Sequence, residues 1–182
     1  MHGVIFMSFR DYVAATYGKE TRDAVFRGEP HFFLSESYPD ERLFELIDRA
    51  AELAGRDPAS IVYDFGVFTA ETTFARLYPP FFAMSPTTRD FLLAVETLIH
   101  ELVRAVVPNA TPPRLKVTER GNDGVSIVYS SPRQLCVLLR GLVEGTARHY
   151  GETAELNELS CMLRGDETCT FEITLSPGRQ PA

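Results

Sequence analysis

No run of apolar residues in this chain is long enough to cross a bilayer, which argues against a helical membrane span. No block of five like charges occurs, and the net charge is -7. The chain therefore lacks the basic stripe that gripping a phosphate backbone requires, so no nucleic-acid partner is expected. The opening decapeptide, Met1 to Arg10, has too short an apolar run and no cationic leader for an export signal. A cytoplasmic location is the expectation. Cysteine is scarce: only Cys136, Cys161 and Cys169 are present. An odd number in such a chain argues against a disulfide framework and leaves metal, redox or packing roles. There is no internal repeat, no low-complexity linker and no evident nucleophile–base pairing, so an enzyme is not expected.

What is present is one domain's worth of chain, 182 residues at 45% hydrophobic, enough for a sizeable core. The first two-thirds has helical signals. A helix is predicted over Ser8–Tyr17, closed by Gly18, and a short one over Glu20–Phe26. Gly28 to Ser37 is predicted to be loop. Asp40 is predicted to cap a helix with Leu43, Phe44, Leu46, Ile47 and Ala50 on its apolar side, ending at Gly55. Asp57-Pro58 opens another, carrying Ile61, Val62, Phe65 and Phe68. Pro79-Pro80 should end a further short segment. Thr87 or Thr88 starts a strongly apolar helix over Phe91–Val107, stopped before Pro108.

The remaining third has hairpin signals. Strands are predicted over Arg114–Thr118 and Val125–Ser130, joined at Gly121-Asn122-Asp123-Gly124. Pro132 is predicted to open a helix with Leu135, Cys136, Leu138, Leu139, Leu142 and Val143 at helical spacing. A second hairpin follows, Leu156–Leu163 and Thr168–Leu175, turning at Arg164–Glu167, with a frayed tail from Ser176. The fold class is α+β: a helical part, then an antiparallel sheet with a long helix packed on it.

Two places carry candidate chemistry. Of four histidines, His2 is terminal, His31 sits in a loop and His149 lies at a helix end, all with ordinary structural or surface roles. His100 lies inside the most apolar helix, with Glu96 and Arg104 one turn to either side. Spacing alone allows either a half-exposed His between two charges or a neutral imidazole held on a rigid element for a metal. The second place is Tyr129-Ser130-Ser131-Pro132-Arg133, where a strand gives way to a helix. Two hydroxyls, a guanidinium and unpaired helix-start amides make a corner rich in donors for an anion. The plainer reading is an ordinary helix cap at Ser131.

Taken together, His100, the pair Pro112-Pro113 and the Tyr129/Ser131/Arg133 motif stand in the order and spacing of the H-NOX (haem nitric-oxide/oxygen-binding, HNOB) family. Met1-His2-Gly3-Val4-Ile5 and Leu142-Val143-Glu144-Gly145 also resemble that family, so the likeness spans essentially the whole chain. The resemblance implies a single H-NOX-like domain, 1–60 forming a distal helical part and 61–182 a proximal part with the sheet. It implies haem b with His100 as the iron ligand, and Tyr129, Ser131 and Arg133 on the propionates. Pro113 would press on the porphyrin. Ile5, Phe9, Leu138 and Leu142 would line the distal pocket, with Phe74 a looser candidate. Many members carry Asp three residues before the proximal His; this chain has Thr97 there. Oxygen-binding members carry a Tyr where this chain has Leu138, so the resemblance implies NO and CO as ligands and exclusion of O₂. It also implies a conformational change on weakening of the Fe–His bond, relayed to a separate signalling protein such as a histidine kinase or a cyclic-di-nucleotide enzyme. Some members hold zinc with three Cys and one His. Cys136, Cys161 and Cys169 match the Cys positions, and Glu158 stands in the His position. Two readings of that group stay open, a Cys₃Glu zinc site or three reduced thiols. The rival for the whole chain is a haem-free small-molecule or interaction module acting through that cysteine site.

Overall fold

The computed structural model describes residues 1–107 and 110–178. Pro108, the predicted stop of the His100 helix, and residues 179–182 lie outside them. Helix α1 (Gly3–Val25) begins earlier than the apolar pattern predicts because His2 caps it, Nδ1 accepting from the Val4 amide at 3.3 Å. Gly18 breaks it where the sequence placed a helix end: its φ of 89° and ψ of 164° lie outside helical space, and the chain turns there before resuming. Helix α2 (Asp40–Ala54) ends on Gly55 in the left-handed conformation, as its C-terminal glycine requires. Asp40 is not its cap. Pro39 occupies that place, and the Asp40 carboxylate is instead drawn to the Met1 ammonium and Arg133. Asp57 does cap α3 (Pro58–Phe68), accepting from the Ser60 amide at 3.0 Å.

The helix then widens into a π-helical segment, Thr69–Phe74, before the single turn α4 (Ala75–Leu77). Pro79-Pro80 follow the end of that segment, as predicted, and also start the next helix. They open α5 (Pro79–Ala83), where the missing proline N–H costs nothing in a first turn. Thr87 caps α6 (Thr88–Ala94), which passes through a second π-helical segment, Val95–His100, into α7 (Glu101–Val106).

Strands β1 (Arg114–Glu119) and β2 (Gly124–Ser130) form the first hairpin. Helix α8 (Cys136–His149) begins four residues after Pro132, because Ser131 to Gln134 close a turn first: the Gln134 amide donates to the Ser131 carbonyl at 3.1 Å and Gln134 sits at φ 51°. Strand β3 (Glu152–Ser160) starts earlier and ends earlier than predicted, since it pairs from Glu152 with the end of β4 (Cys169–Pro177). Ser176 and Pro177 are thus strand, not frayed tail. The sheet is antiparallel with order β1-β2-β4-β3.

Two cores result. One joins Phe6, Phe9, Val13, Leu43, Leu46, Ile61 and Phe65 of the helical part to Leu138 of α8. The other packs Cys136, Leu139 and Val143 of α8 onto Val125, Ile127, Tyr129, Phe171 and Ile173 of the sheet. Helix α8 serves both. It lies unusually close to α3: a methyl at Gly141 would strike the Tyr63 carbonyl, and one at Gly145 the Val67 carbonyl. No described helix is long and apolar enough to cross a membrane.

Candidate haem site and thiol cluster

His100 ends the π-helical segment, a local widening that is frequent at functional sites. Its side chain is only 15% exposed, and Nδ1 lies 2.8 Å from Glu96 Oε2. The same Glu96 oxygen accepts from the Leu115 amide at 3.1 Å, and Oε1 accepts from Arg104 at 2.7 Å. Burial alone would raise the Glu96 carboxyl, but His100, Arg104 and the Leu115 amide outweigh it and hold it below the usual range. Glu96 is therefore an ionised acceptor, so the ring proton sits on Nδ1 and the lone pair on Nε2. For His100 itself burial dominates and lowers its pKa below 6.5, despite the pull of Glu96. A neutral imidazole with a free Nε2 is the form a metal takes. Spacing leaves open a half-exposed His between two charges; in the fold the ring is mostly buried and pairs with one of them, Glu96.

The Tyr129/Ser131/Arg133 corner is buried at its two hydroxyls, each 3% exposed. Each hydroxyl oxygen accepts from a backbone amide, Tyr129 from Leu135 at 3.0 Å and Ser131 from Arg133 at 3.3 Å. Burial pushes the Tyr129 phenol up, so it keeps its proton. Ser131 also hydrogen-bonds the phenol oxygen, so the Tyr129 O–H is the one left to donate to an incoming anion. Arg133 donates to the Thr111 carbonyl at 2.6 Å and to its hydroxyl at 2.8 Å. Its Nε lies 2.7 Å from Asp40 Oδ2 as an ion pair, yet that contact is not aligned as a hydrogen bond, and Nε has no hydrogen-bond partner among the described residues. The Nε edge is thus buried against the Asp40 carboxylate, and the corner as a whole, a cation beside two hydroxyls, has the donor chemistry that suits a carboxylate such as a propionate.

On the other side, Phe9 and Leu138 lie in the helical core with Ile5 and Leu142 packed against it. Phe74 stands on the first π-helical segment, with its ring 5.9 Å from that of Tyr78. Ser8, Thr69 and Thr73 form a buried hydroxyl triad at 2.8 Å separations. Two clefts on the helical side, one between Met7 and Phe32 and one between α2, α3 and Leu135, are lined by neither His100 nor the corner hydroxyls. The three remaining histidines have local roles: His2 caps α1, His31 packs on Phe33, and His149 packs on Phe82 and Tyr150.

The three cysteine sulfurs lie within 4.8 Å of one another, and all three residues are buried. Cys136 and Cys161 are 3.8 Å apart, the spacing of about 3.8 Å that two sulfurs take on a tetrahedral zinc with Zn–S near 2.3 Å. Burial, then Cys169 and Cys161, push the Cys136 thiol up to about 12. Burial, then the thiol's hydrogen bond to the Glu158 carboxylate, raise Cys161. Glu158, on β3, also pairs with Arg164 at 3.2 Å and does not join the three sulfurs within their 4.8 Å cluster.

Sequence reasoning named Glu96 and Arg104 only as flanking charges and missed Asp40 and Thr111 as partners of Arg133. The i−4 spacing of Glu96 was a usable signal. Nothing local marks Asp40, 93 positions before Arg133, as its neighbour.

A family model described as Haem-NO-binding matches residues 2–158. Comparison with curated proteins gives no match. Among solved structures, an H-NOX protein from S. oneidensis in the Fe(II)NO ligation state is 23% identical at TM-score 0.89, covering 97% of this chain and 99% of that one. A mutant of an H-NOX protein from S. oneidensis in the Fe(II) state is 22% identical at TM-score 0.91, covering 99% and 98%. The Fe(II) unliganded H-NOX protein from K. algicida is 20% identical at TM-score 0.83, covering 100% of each chain. At these identities the likeness to solved structures is one of fold.

Proposed function

The chain belongs to the haem-NO-binding family, and on that premise we propose that it is a haem-based gas sensor and not an enzyme. The observation that carries this reading is His100: nearly buried, neutral, and oriented by Glu96 so that Nε2 is left for iron. Haem b, when bound, would supply an iron that takes NO or CO as ligands. The protein's own groups do the rest. Tyr129 and Ser131 grip the propionates, and Arg133 adds its charge while Thr111 and Asp40 hold it in place. Pro113 presses on the porphyrin from the proximal part, residues 61–182. Ile5, Phe9, Leu138 and Leu142, with Phe74 at the margin, enclose the gas side. Leu138 offers no hydrogen bond, and bound O₂, which carries partial negative charge, needs one more than NO does. The sensor therefore excludes O₂. When the hold on His100 slackens, the Val95–His100 segment shifts against β1, and a separate signalling protein, a histidine kinase or a cyclic-di-nucleotide enzyme, reads the change.

The absorption spectrum of the reduced protein tests this directly. A Soret band that shifts with NO and with CO, shows no stable oxygenated form in air, and disappears in His100→Ala is the expected result. No Soret band after haem is supplied would remove the sensor reading. It would favour the second one, a haem-free interaction module of the same fold working through Cys136, Cys161 and Cys169, for which the buried sulfur cluster is the supporting observation. Within the sensor reading that cluster binds zinc, with Glu158 as the fourth ligand.

A further inference from the structure

We propose that Glu96 is a positioning residue that sets how firmly His100 holds iron. The proposal rests on the haem reading above. Its basis is a chain of contacts through the proximal helix. His100 Nδ1 meets Glu96 Oε2 at 2.8 Å. Glu96 cannot swing away, because the Leu115 amide holds Oε2 at 3.1 Å and Arg104 holds Oε1 at 2.7 Å. Arg104 also donates to the Pro113 carbonyl at 3.2 Å. The proximal ring, the start of β1 and the proline expected to press on the porphyrin are thus joined through one carboxylate. Thr97 takes no part: its hydroxyl donates back to the Ala94 carbonyl at 3.4 Å and the residue is exposed.

The chemistry follows from the acceptor. A carboxylate receiving three donors has no proton of its own to give, so Nδ1 is the donor in the pair. Pulling on that proton moves electron density through the ring to Nε2 and makes it a stronger donor to a metal. A stronger bond from Nε2 resists lengthening when NO binds on the opposite face. Displacing His100 must also break or drag the contacts that Glu96 makes to Leu115 and, through Arg104, to Pro113. Glu96 thereby raises the threshold at which ligand binding is converted into movement. Its effect is on His100, not on the gas side.

The test has a haem-free arm and a haem-bound arm. In haem-free protein, ¹⁵N shifts of the His100 ring should report a proton on Nδ1 and none on Nε2. Glu96→Gln and Glu96→Leu should mix the two tautomers, and Thr97→Ala should not. In ferrous haem protein, the iron–histidine stretching frequency should fall in Glu96→Gln and further in Glu96→Leu. Haem loss should be about 10- to 100-fold faster in Glu96→Leu, and the NO-bound spectrum should shift toward the five-coordinate form. Glu96→Gln, which keeps the size and a weaker acceptor, serves if Glu96→Leu fails to fold. An unchanged frequency and an unchanged tautomer in a folded Glu96 variant overturn the proposal while leaving the sensor reading intact. Failure of the wild-type protein to take haem overturns the sensor reading, and with it the effect on iron, even where the tautomer arm is positive.

Discussion

Arg133 shows what a single residue does in this protein. The sequence offers it as an anion hook, and the structure also makes it a bolt: Thr111 takes two of its N–H groups and Asp40 faces a third. Asp40 in turn is shared with the Met1 ammonium at 2.6 Å. Burial would raise the Asp40 carboxyl, but those two cations hold it below its ordinary 3.8. A carboxyl depressed on folding stabilises the native state above its unfolded pKa, and the contribution is lost as pH falls through the folded value. His100, depressed by burial below 6.5, acts in the same direction: its contribution is complete above 6.5 and fades as pH drops through the lower folded value. Acid is therefore the weak side of the haem-free protein. Asp40→Asn should lower the urea midpoint at pH 7 and flatten its decline between pH 5 and about pH 3. A variant whose midpoint tracks the wild type across that range would show that Asp40 carries no such linkage. Asp40 reads as a helix cap in sequence because cap chemistry is local, whereas its real partners come from Met1 and Arg133, far along the chain.

At the scale of elements, the pairing of α3 with α8 decides the geometry. Gly66 and Gly141 face each other so closely that an added Cβ at either one would meet the backbone of the other helix. Helix propensity would favour alanine in a helix interior by up to about 1 kcal/mol. Overpacking a tight contact costs about 1–3 kcal/mol, so the clash wins and Gly141→Ala should destabilise. A lowered denaturant midpoint checks this; a gain would show that the helices part easily. The second hairpin carries two of the three thiols. Cys136 comes from α8, while Cys161 and Cys169 come from either side of the turn that links β3 to β4. Without a metal, burial keeps the Cys136 and Cys161 thiols protonated, so zinc must displace protons there and its affinity should climb as pH rises. Protein purified without chelator should carry close to one zinc, and Glu158→Ala should weaken retention. Less than about half an equivalent of zinc in the wild type would favour three reduced thiols. The limits of the second hairpin were less legible than those of the first. Glu152 to Glu155 belong to β3 because β4 is there to pair with them, not because of an apolar pattern.

At the scale of the whole molecule, two cores meet at α8, one helical and one against the sheet. His100 and the Tyr129 corner belong to the sheet side, and Ile5 and Phe9 to the helical side. A ligand gripping both sides stabilises only the assembled state. At 1,000 times its dissociation constant such a ligand adds about 4 kcal/mol. Haem-saturated protein should melt well above haem-free protein, and His100→Ala should lose most of that difference. Equal melting temperatures would mean that haem does not bridge the two sides.

The order of residues alone specified the α+β class, the break at Gly18, the end at Gly55, the cap at Asp57 and the first hairpin. Each depends on neighbours within a turn or two, where dihedral preferences and short-range hydrogen bonds act. It also marked His100, the Tyr129/Ser131/Arg133 corner and the three cysteines by residue type and order. Only the tertiary structure decided that His100 is neutral and held by Glu96, that Glu96 is anchored to β1, and that Arg133 is tied to Thr111 and Asp40. It alone brought the three sulfurs together. Protonation state and orientation follow from burial and from partners that folding supplies across long stretches of chain, and one-dimensional spacing carries neither.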